Sequence, residues 1–516
     1  MSDNAGTRLR LTSMAVAARG LATDETIEMP ITVLEPMLVR QRPSTDPVDA
    51  LAAEIHARDG GPFVDELQVT ALLEAHGVTD HTARVQYGYQ DVFELAREVR
   101  NRLTGLAESP QRRPGRHRHR ERGRTLLELC HGALYLLPCM LFPAAVAGAQ
   151  PRPLMFAIVA AGLLGWVWAG GIGWLAYQYL NAGDEGAAGR FLAASAVTGV
   201  GVAAVLGAAV AATQGGGAAM ALLVPAVAAY QMASTLLLFY RDEAWLVVLM
   251  APAVLAGIAF LMSDRRLPAA ALVPAVVCIA AAFGVAVRRG LVAGGATVAE
   301  GGSGLGLRAV LRGNWLTFSL VVAHTALLAA LILLAQAPYL TDRFDVLVAA
   351  LPLVVSMGFV EWRARRFGER SRDMLHERWG PRGFRRRVWL LAAANAGACW
   401  LVATAAATAT LAALRLADRL TPAAAAMAAA NVALAGACFL IFVLAGLGGY
   451  GRLCVVLALA LGAHLAARPL VAGAVAWSSP SAALTDTVAF LGSAVLLVGL
   501  LAAALAPSLG HVRQYR

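Results

Sequence analysis

The chain has 516 residues, of which 58% are hydrophobic and 15% are charged, with a formal net charge of +10 at pH 7. This apolar content exceeds what the core of a soluble protein of this length needs, so the composition excludes soluble enzymes and predicts an integral membrane protein. The basic residues are arginines throughout, and a positive balance alone does not indicate a nucleic-acid partner.

Residues 1–124 precede the first long apolar stretch and are predicted to form a cytoplasmic helical domain followed by a basic linker. Apolar residues between positions 48 and 99 recur at helical spacing, which indicates three or four short helices. An arginine run at 111–124 stands directly before the apolar stretch and places this domain in the cytoplasm by the positive-inside rule. Acidic and basic residues nearly balance in the domain, which favours docking of a partner protein over DNA binding.

About twelve apolar stretches follow, each near the roughly 20 residues that a helix needs to cross a bilayer. They cover 126–148, 153–180, 190–213, 217–240, 243–262, 267–287, 314–338, 344–362, 388–414, 421–447, 452–473 and 484–506. An even number returns the C-terminus to the cytoplasm, and most loop arginines fall on that side. The predicted fold is all-α: a polytopic membrane protein with about twelve transmembrane helices and a small helical domain at its N-terminus.

A Gly-rich segment, residues 289–313, separates the sixth predicted span from the seventh and is predicted to be a flexible linker. It divides the membrane part into two lobes of six helices, residues 125–288 and residues 314–516. Its glycines lack the spacing of a dinucleotide-binding loop. The chain shows no Ser-His-Asp set, metal-ligand spacing or large outer loop, so we expect no enzyme activity, no cofactor and no metal site.

The stretch 166–190 joins the second span to the third and combines a closely packing helix with a turn. Small residues in its helical part allow neighbouring helices to approach each other in lipid. These small residues are Ala169, Gly170, Gly171 and Gly173. Gly183 permits turn geometry, whereas Asp184 and Glu185 favour the start of the next helix, which soon reaches Arg190.

This helix, turn and small-residue helix resemble the junction between the second and third spans of the MOP exporter superfamily. That superfamily includes multidrug-extrusion transporters, lipid-linked oligosaccharide flippases and polysaccharide exporters. The resemblance covers roughly 25 residues and implies a transporter with two lobes. Glu361 and Arg363 occupy the corresponding slot of the second lobe, so we interpret the two junctions as matching cytoplasmic elbows of an internal repeat.

A few polar side chains fall inside the predicted spans and are the candidate lining of a substrate path. They are Gln178, Gln231, His324, Asn431, His464 and Arg468. Hydrogen bonding between helices is the alternative role for the amides. Arg468 is the costliest residue to embed, and it either reaches the outer surface or meets an anionic group of a substrate. The first six spans carry no Asp or Glu near a midpoint, which disfavours the drug-antiporter branch.

The resemblance and the missing carboxylate together imply a transporter or flippase that moves a polysaccharide or lipid-linked saccharide across the cell membrane by alternating access. Both termini are expected in the cytoplasm. The expected partners are membrane lipids, the glycan and a cytoplasmic glycosyltransferase bound by the N-terminal domain, without nucleic acid. Two alternatives stay open: a membrane scaffold that recruits the glycosyltransferase, and an ion-coupled small-molecule transporter of the same fold.

Overall fold

The computed structural model describes residues 46–59, 66–107, 150–262, 268–296, 306–340, 343–375, 381–475 and 482–511. These residues are almost entirely helical and include no strand. The chain divides into two compact units, residues 1–112 and residues 113–516.

Short helices form the described part of the first unit. They are α1 (Pro47–Asp59), α2 (Glu66–Ala75), α3 (Asp80–Thr82) and α4 (Val92–Ala107), with one π-helical turn at Ala83–Tyr87. Aliphatic side chains such as Ile55, Leu73 and Leu95 form their shared core, each at most 2% exposed. The small helical domain predicted from apolar spacing is therefore confirmed.

Arg102 on α4 connects three carboxylates of the first unit. Its guanidinium donates to Asp46 Oδ2 at 2.7 Å and to Glu98 Oε1 at 2.8 Å, and it also bonds to Asp49. Because Arg102 donates to Asp46, the pKa of that carboxyl is lowered from its ordinary value. These bonds fasten the start of α1 to α4.

The second unit contains eleven described segments that are long and apolar enough to cross a membrane. They are α5 (Pro151–Asn181), α6 (Glu185–Gln214), α7 (Gly217–Phe239), α8 (Glu243–Met262), α9 (Pro268–Ala296), α10 (Leu307–Gln336), α11 (Phe344–Val348) with α12 (Leu351–Asp373), α13 (Pro381–Leu416), α14 (Pro422–Gly446), α15 (Tyr450–Val475) and α16 (Ala482–Leu505). Each corresponds to one predicted span, which confirms an all-α, multi-pass membrane protein. The first predicted span, 126–148, lies outside the described residues.

Several helices continue past the predicted ends of their spans. Both α9 and α10 extend into the Gly-rich segment 289–313, leaving only 297–306 between them. Similarly, α12 continues well beyond residue 362. At about 1.5 Å per residue, the 36 residues of α13 reach about 54 Å, more than the roughly 30 Å of a hydrocarbon core. Hydropathy marks only the part of a helix in lipid, whereas backbone hydrogen bonding continues into water.

The membrane helices form two groups, which we call the first bundle (α5–α9) and the second bundle (α12–α16). In the first bundle, α6, α7 and α9 contact one another, α5 lies against α6 and α7, and α8 lies against α9. In the second bundle, α14 lies at the centre against α12, α13 and α16, while α15 packs on α16. The remaining long helix, α10, lies between the bundles and contacts both α5 and α15.

The contact between α5 and α10 depends on glycine. A Cβ atom at Gly170 would lie 2.7 Å from Thr325 Oγ1, and one at Gly171 would lie 3.1 Å from Val322 Cγ2. Larger residues would therefore push the helices apart, as the small-residue pattern predicts. A Cβ atom at Gly173 would meet nothing within 4 Å, so this glycine does not serve the contact.

A tight turn joins α5 to α6, as the sequence predicts. Gly183 has φ of +76°, a left-handed conformation that glycine adopts without strain. The amides of Gly183 and Asp184 donate to the carbonyls of Leu180 and Tyr179 at 2.9 and 3.0 Å, which caps the end of α5. Asp184 Oδ1 accepts from the amide of Ala187 at 2.8 Å and caps the start of α6.

Replacing Arg102 with Gln should loosen the first unit, because three carboxylates then lose their shared cation. We expect faster hydrogen exchange of amides in α1 and α4 of the full-length protein, with unchanged exchange in the membrane helices. The exposed Arg84, replaced with Gln, is the control. Equal exchange in the two variants would contradict a central role for Arg102.

The same bonds predict a pH dependence. The pKa of Asp46 is lowered in the folded unit, so its stabilising contribution is complete above the unfolded pKa and disappears as pH falls through the folded pKa. Protection of the α1 amides in the native protein, measured relative to their intrinsic exchange rate at each pH, should therefore fall below about pH 4, and Arg102→Gln should weaken this fall.

Replacing Gly170 with Ala should destabilise the protein by about 1–3 kcal/mol, because the added methyl group overlaps Thr325. Gly173→Ala is the matched control, since the same methyl group on the same helix enters open space and alanine favours the helix. Thermal unfolding of the purified protein in detergent measures both variants. Equal melting temperatures would rule out the close contact between α5 and α10.

Candidate functional site

The structure distributes the predicted path residues over three places. Gln178 and Gln231 lie in the first bundle, His324 lies on α10, and Asn431 and His464 lie in the second bundle. Of these five, Asn431 and His464 have no exposed surface, whereas the other three keep some exposure. The interior of the second bundle is therefore the best-formed candidate site.

The two glutamines of the first bundle take part in the packing of α5. Gln231 on α7 fills the notch that Gly165 leaves on α5, where a Cβ atom would overlap the glutamine amide. Its Oε1 is buried and accepts no hydrogen bond from any described residue. Gln178 is half-buried near the end of α5. Gln231 thus packs closely on α5, and within the described part of the chain its Oε1 does not make the hydrogen bond between helices that is the alternative role for the amides.

His324 belongs to the contact between α10 and α15. Its Nδ1 lies 3.1 Å from the carbonyl of Leu320, and its ring centre lies 5.6 Å from that of Tyr450. Cys454 donates from Sγ to the same carbonyl at 3.3 Å. His324 thus helps to join α10 to the start of α15.

Asn431 uses both ends of its amide inside the second bundle. Its Nδ2 donates to the carbonyl of Met427 at 2.9 Å, and its Oδ1 accepts from Gln336 Nε2 at 3.1 Å. Gln336 is the last residue of α10. This pair therefore connects the end of α10 to the central helix, α14.

His464 on α15 lies against α16. Its ring centre is 5.6 Å from that of Phe490, with the rings nearly perpendicular. Arg468 follows one turn later on α15, and its side chain lies outside the described residues. Within the described ranges, no group of three or more His, Cys, Asp and Glu residues is arranged to hold a metal ion.

Asp486 is a buried carboxylate that the sequence analysis did not single out. It lies on α16, is 9% exposed, and its Oδ2 accepts a hydrogen bond from the Tyr339 hydroxyl at 2.8 Å. The available signal was an aspartate within the predicted span 484–506. A carboxylate near the start of a span can reach water, so the position of Asp486 in the sequence does not distinguish a buried aspartate from a solvated one.

A second polar group fixes the start of α14. Arg343 donates from Nε and NH2 to Asp345 Oδ1 and Oδ2 at 3.1 and 2.9 Å. Thr421 donates from Oγ1 to Asp345, and the same oxygen accepts from the amide of Ala424 at 3.2 Å as the cap of α14. The connection from α10 to α12 is thus fastened to α14 by charged groups.

The predicted elbow residues have different surroundings in the two halves. Glu185 is exposed in the first turn of α6, and Arg190 donates to the carbonyl of Gly294 at 2.6 Å, which ties α6 to the end of α9. Glu361 and Arg363, by contrast, lie within α12 and not at its end. The turn of the second half therefore follows further along the chain than the predicted span boundary implies.

Replacing Tyr339 with Phe should destabilise the second bundle by about 1–3 kcal/mol, because it removes one hydrogen-bond donor to a buried carboxylate. Tyr177→Phe is the control, since Tyr177 is 57% exposed. Combining Tyr339→Phe with Asp486→Asn should cost less than the sum of the single changes. Melting temperatures in detergent measure this coupling, and strict additivity would show that the bond contributes nothing.

The polar side chains of the candidate site thus come from α14, α15 and α16 of the second bundle, from α10 and from the connection after α10. They are Gln336, Tyr339, Arg343, Asp345, Thr421, Asn431, His464 and Asp486. No protein-family model matches the chain, and no curated protein matches it either.

Proposed function

We propose that this protein is a transporter or flippase in which the two bundles move relative to each other. The observation that carries the proposal is the position of α10, which contacts α5 of the first bundle on one side and α15 of the second bundle on the other. Transporters built from two lobes open to alternate sides of the membrane when one lobe rocks against the other. The contact between α5 and α10 is the proposed moving interface.

Buried polar groups support a polar cargo. Asn431, His464 and Asp486 lie inside helices that cross the membrane and are at most 9% exposed. Polar groups are costly in lipid and commonly mark a substrate path or a bond between helices. An amide donates and accepts hydrogen bonds and a carboxylate accepts them, so both groups suit the hydroxyl groups of sugars.

The proposed substrate is a polysaccharide or lipid-linked saccharide, moved across the cell membrane. This class comes from the resemblance of residues 166–190 to MOP exporters, and the turn at Gly183 fits that junction. The proposed orientation has both termini in the cytoplasm, because the arginines of the 363–387 region then lie on the cytoplasmic side.

A scaffold that recruits a cytoplasmic glycosyltransferase is the alternative that the first unit favours. Leu67, Val85 and Phe93 are 66%, 69% and 47% exposed, and exposed apolar side chains are common at protein interfaces. Replacing all three with Ser would separate the two functions. Loss of glycan production in cells with unchanged transport in liposomes would favour the scaffold.

An ion-coupled transporter of the same fold is the alternative that Asp486 favours. Embedded carboxylates often carry protons or cations in transporters. Transport that collapses when the proton or sodium gradient is removed, and that loses this dependence in Asp486→Asn, would favour ion coupling.

A disulfide bond between α5 and α10 should stop transport reversibly. A Cβ atom at Gly170 would lie 3.3 Å from Thr325 Cβ, close to the roughly 3.5–4.5 Å found in disulfides. Gly170→Cys with Thr325→Cys should therefore cross-link after the six native cysteines are replaced with Ala. Movement of a fluorescent lipid-linked oligosaccharide in proteoliposomes should fall to background on oxidation and recover with reductant.

A cross-link within one bundle is the matched control. A Cβ atom at Gly290 would lie 3.1 Å from Ala193 Cβ, so Ala193→Cys with Gly290→Cys joins α6 to α9 inside the first bundle. This link should leave transport intact. Unchanged transport by the oxidised α5–α10 pair would overturn the proposed movement, and absence of transport by the native protein would overturn the proposed substrate.

A further inference from the structure

The end of α12 and the start of α13 carry an exposed basic surface, which we call the basic hairpin surface. Its described residues include eight exposed arginines and two exposed acidic residues. The arginines are Arg365, Arg366, Arg370, Arg372, Arg382, Arg385, Arg386 and Arg387, and the acidic residues are Glu369 and Asp373. A surface with this balance attracts anions.

Buried apolar side chains pack the helices that carry the basic hairpin surface against the rest of the second bundle. Phe367 of α12 is 3% exposed and meets Phe439 of α14 edge to face, with ring centres 6.0 Å apart. On α13, Phe384 and Val388 are buried between the exposed arginines. The guanidinium groups therefore project from packed helices.

Two guanidinium groups lie against the aromatic ring of Trp362. The guanidinium carbons of Arg363 and Arg366 lie 5.5 and 5.6 Å from the centre of the Trp362 ring, and that of Arg363 also lies 5.7 Å from the Phe359 ring. Cation–π contacts of this length position a guanidinium group. Paired planar guanidinium groups donate several hydrogen bonds to phosphate oxygens.

The exposed arginines lie on the same faces of α12 and α13 as exposed apolar side chains. On α12, Val355 is 46% exposed and lies on the same face as Trp362 and Arg366, at helical spacing. On α13, Leu390 is 60% exposed and follows Arg386 by one turn. Exposed apolar side chains on membrane-crossing helices face acyl chains, so these arginines stand where acyl chains give way to headgroups. The matching ligand has both acyl chains and a phosphate.

We propose that the basic hairpin surface binds the headgroups of anionic phospholipids, with the phosphate between Arg366 and neighbouring arginines and the acyl chains along Val355 and Leu390. In the orientation proposed above, these lipids belong to the cytoplasmic leaflet, which is rich in anionic lipids. The binding is independent of what the protein transports.

Spin-labelled lipids test the proposal on the full-length protein in vesicles. We expect phosphatidylglycerol to associate with the native protein several-fold more strongly than phosphatidylcholine. Replacing Arg366, Arg370 and Arg386 with Gln should remove most of this preference, since each arginine near a charged surface contributes about fivefold. Replacing the same three with Lys should keep most of the preference, because the point charges remain.

The opposite end of α13 provides the matched control. Arg415 and Arg419 are exposed there, and replacing both with Gln should leave the preference unchanged. An unchanged preference in the triple Gln variant would overturn the proposal, as would displacement of the lipid by millimolar glycerol phosphate, which would indicate a site for soluble phosphate. If the variant with three Gln substitutions fails to fold, the lipid preference of the double variant Arg366→Gln, Arg370→Gln is measured instead. The same outcomes then support or overturn the proposal.

Discussion

Helices inside a bilayer gain nothing by hiding apolar surface from lipid tails, so close van der Waals fit and a few hydrogen bonds must hold them together. Both devices act on α10 in this protein. Gly170 and Gly171 let α5 approach it closely, and Gln336 at its end bonds to Asn431 of α14. The contact of α10 with α5 depends on close packing at glycines, whereas its contact with α14 includes a hydrogen bond between side chains. An interface held by packing alone separates at lower cost than one in which a buried polar group loses its hydrogen-bond partner.

Features encoded by neighbouring residues could be predicted from the sequence. The apolar spans are long enough to identify by length alone, and every predicted span that the structure describes is helical, with a break at 349–350 in one of them. The turn after α5 was also predictable, because a glycine followed by an aspartate supplies a left-handed residue and a helix cap within four positions. The short helices of the first unit follow from apolar spacing in the same way.

Features that depend on distant residues could not be predicted. Nothing near Asp486 indicates that Tyr339 will donate to it, since 147 positions separate the two. Glycine composition did not show that Gly170 meets a neighbouring helix while Gly173 faces open space. The length of α12 was also missed, because charged residues end a hydropathy span without ending a helix. Glu361, which was predicted to lie at a turn, therefore lies inside α12.

The burial of α14 has a consequence for the order in which the protein can be completed. An 18-residue stretch of α14 is 78% buried, against 50% or less in the other described spans, and α16 is among the helices that cover it. During synthesis α14 leaves the ribosome before α16, which follows it in the chain. Until α16 is inserted, α14 lacks one of the helices that cover it, so lipid or the insertion machinery must shield the incomplete second bundle.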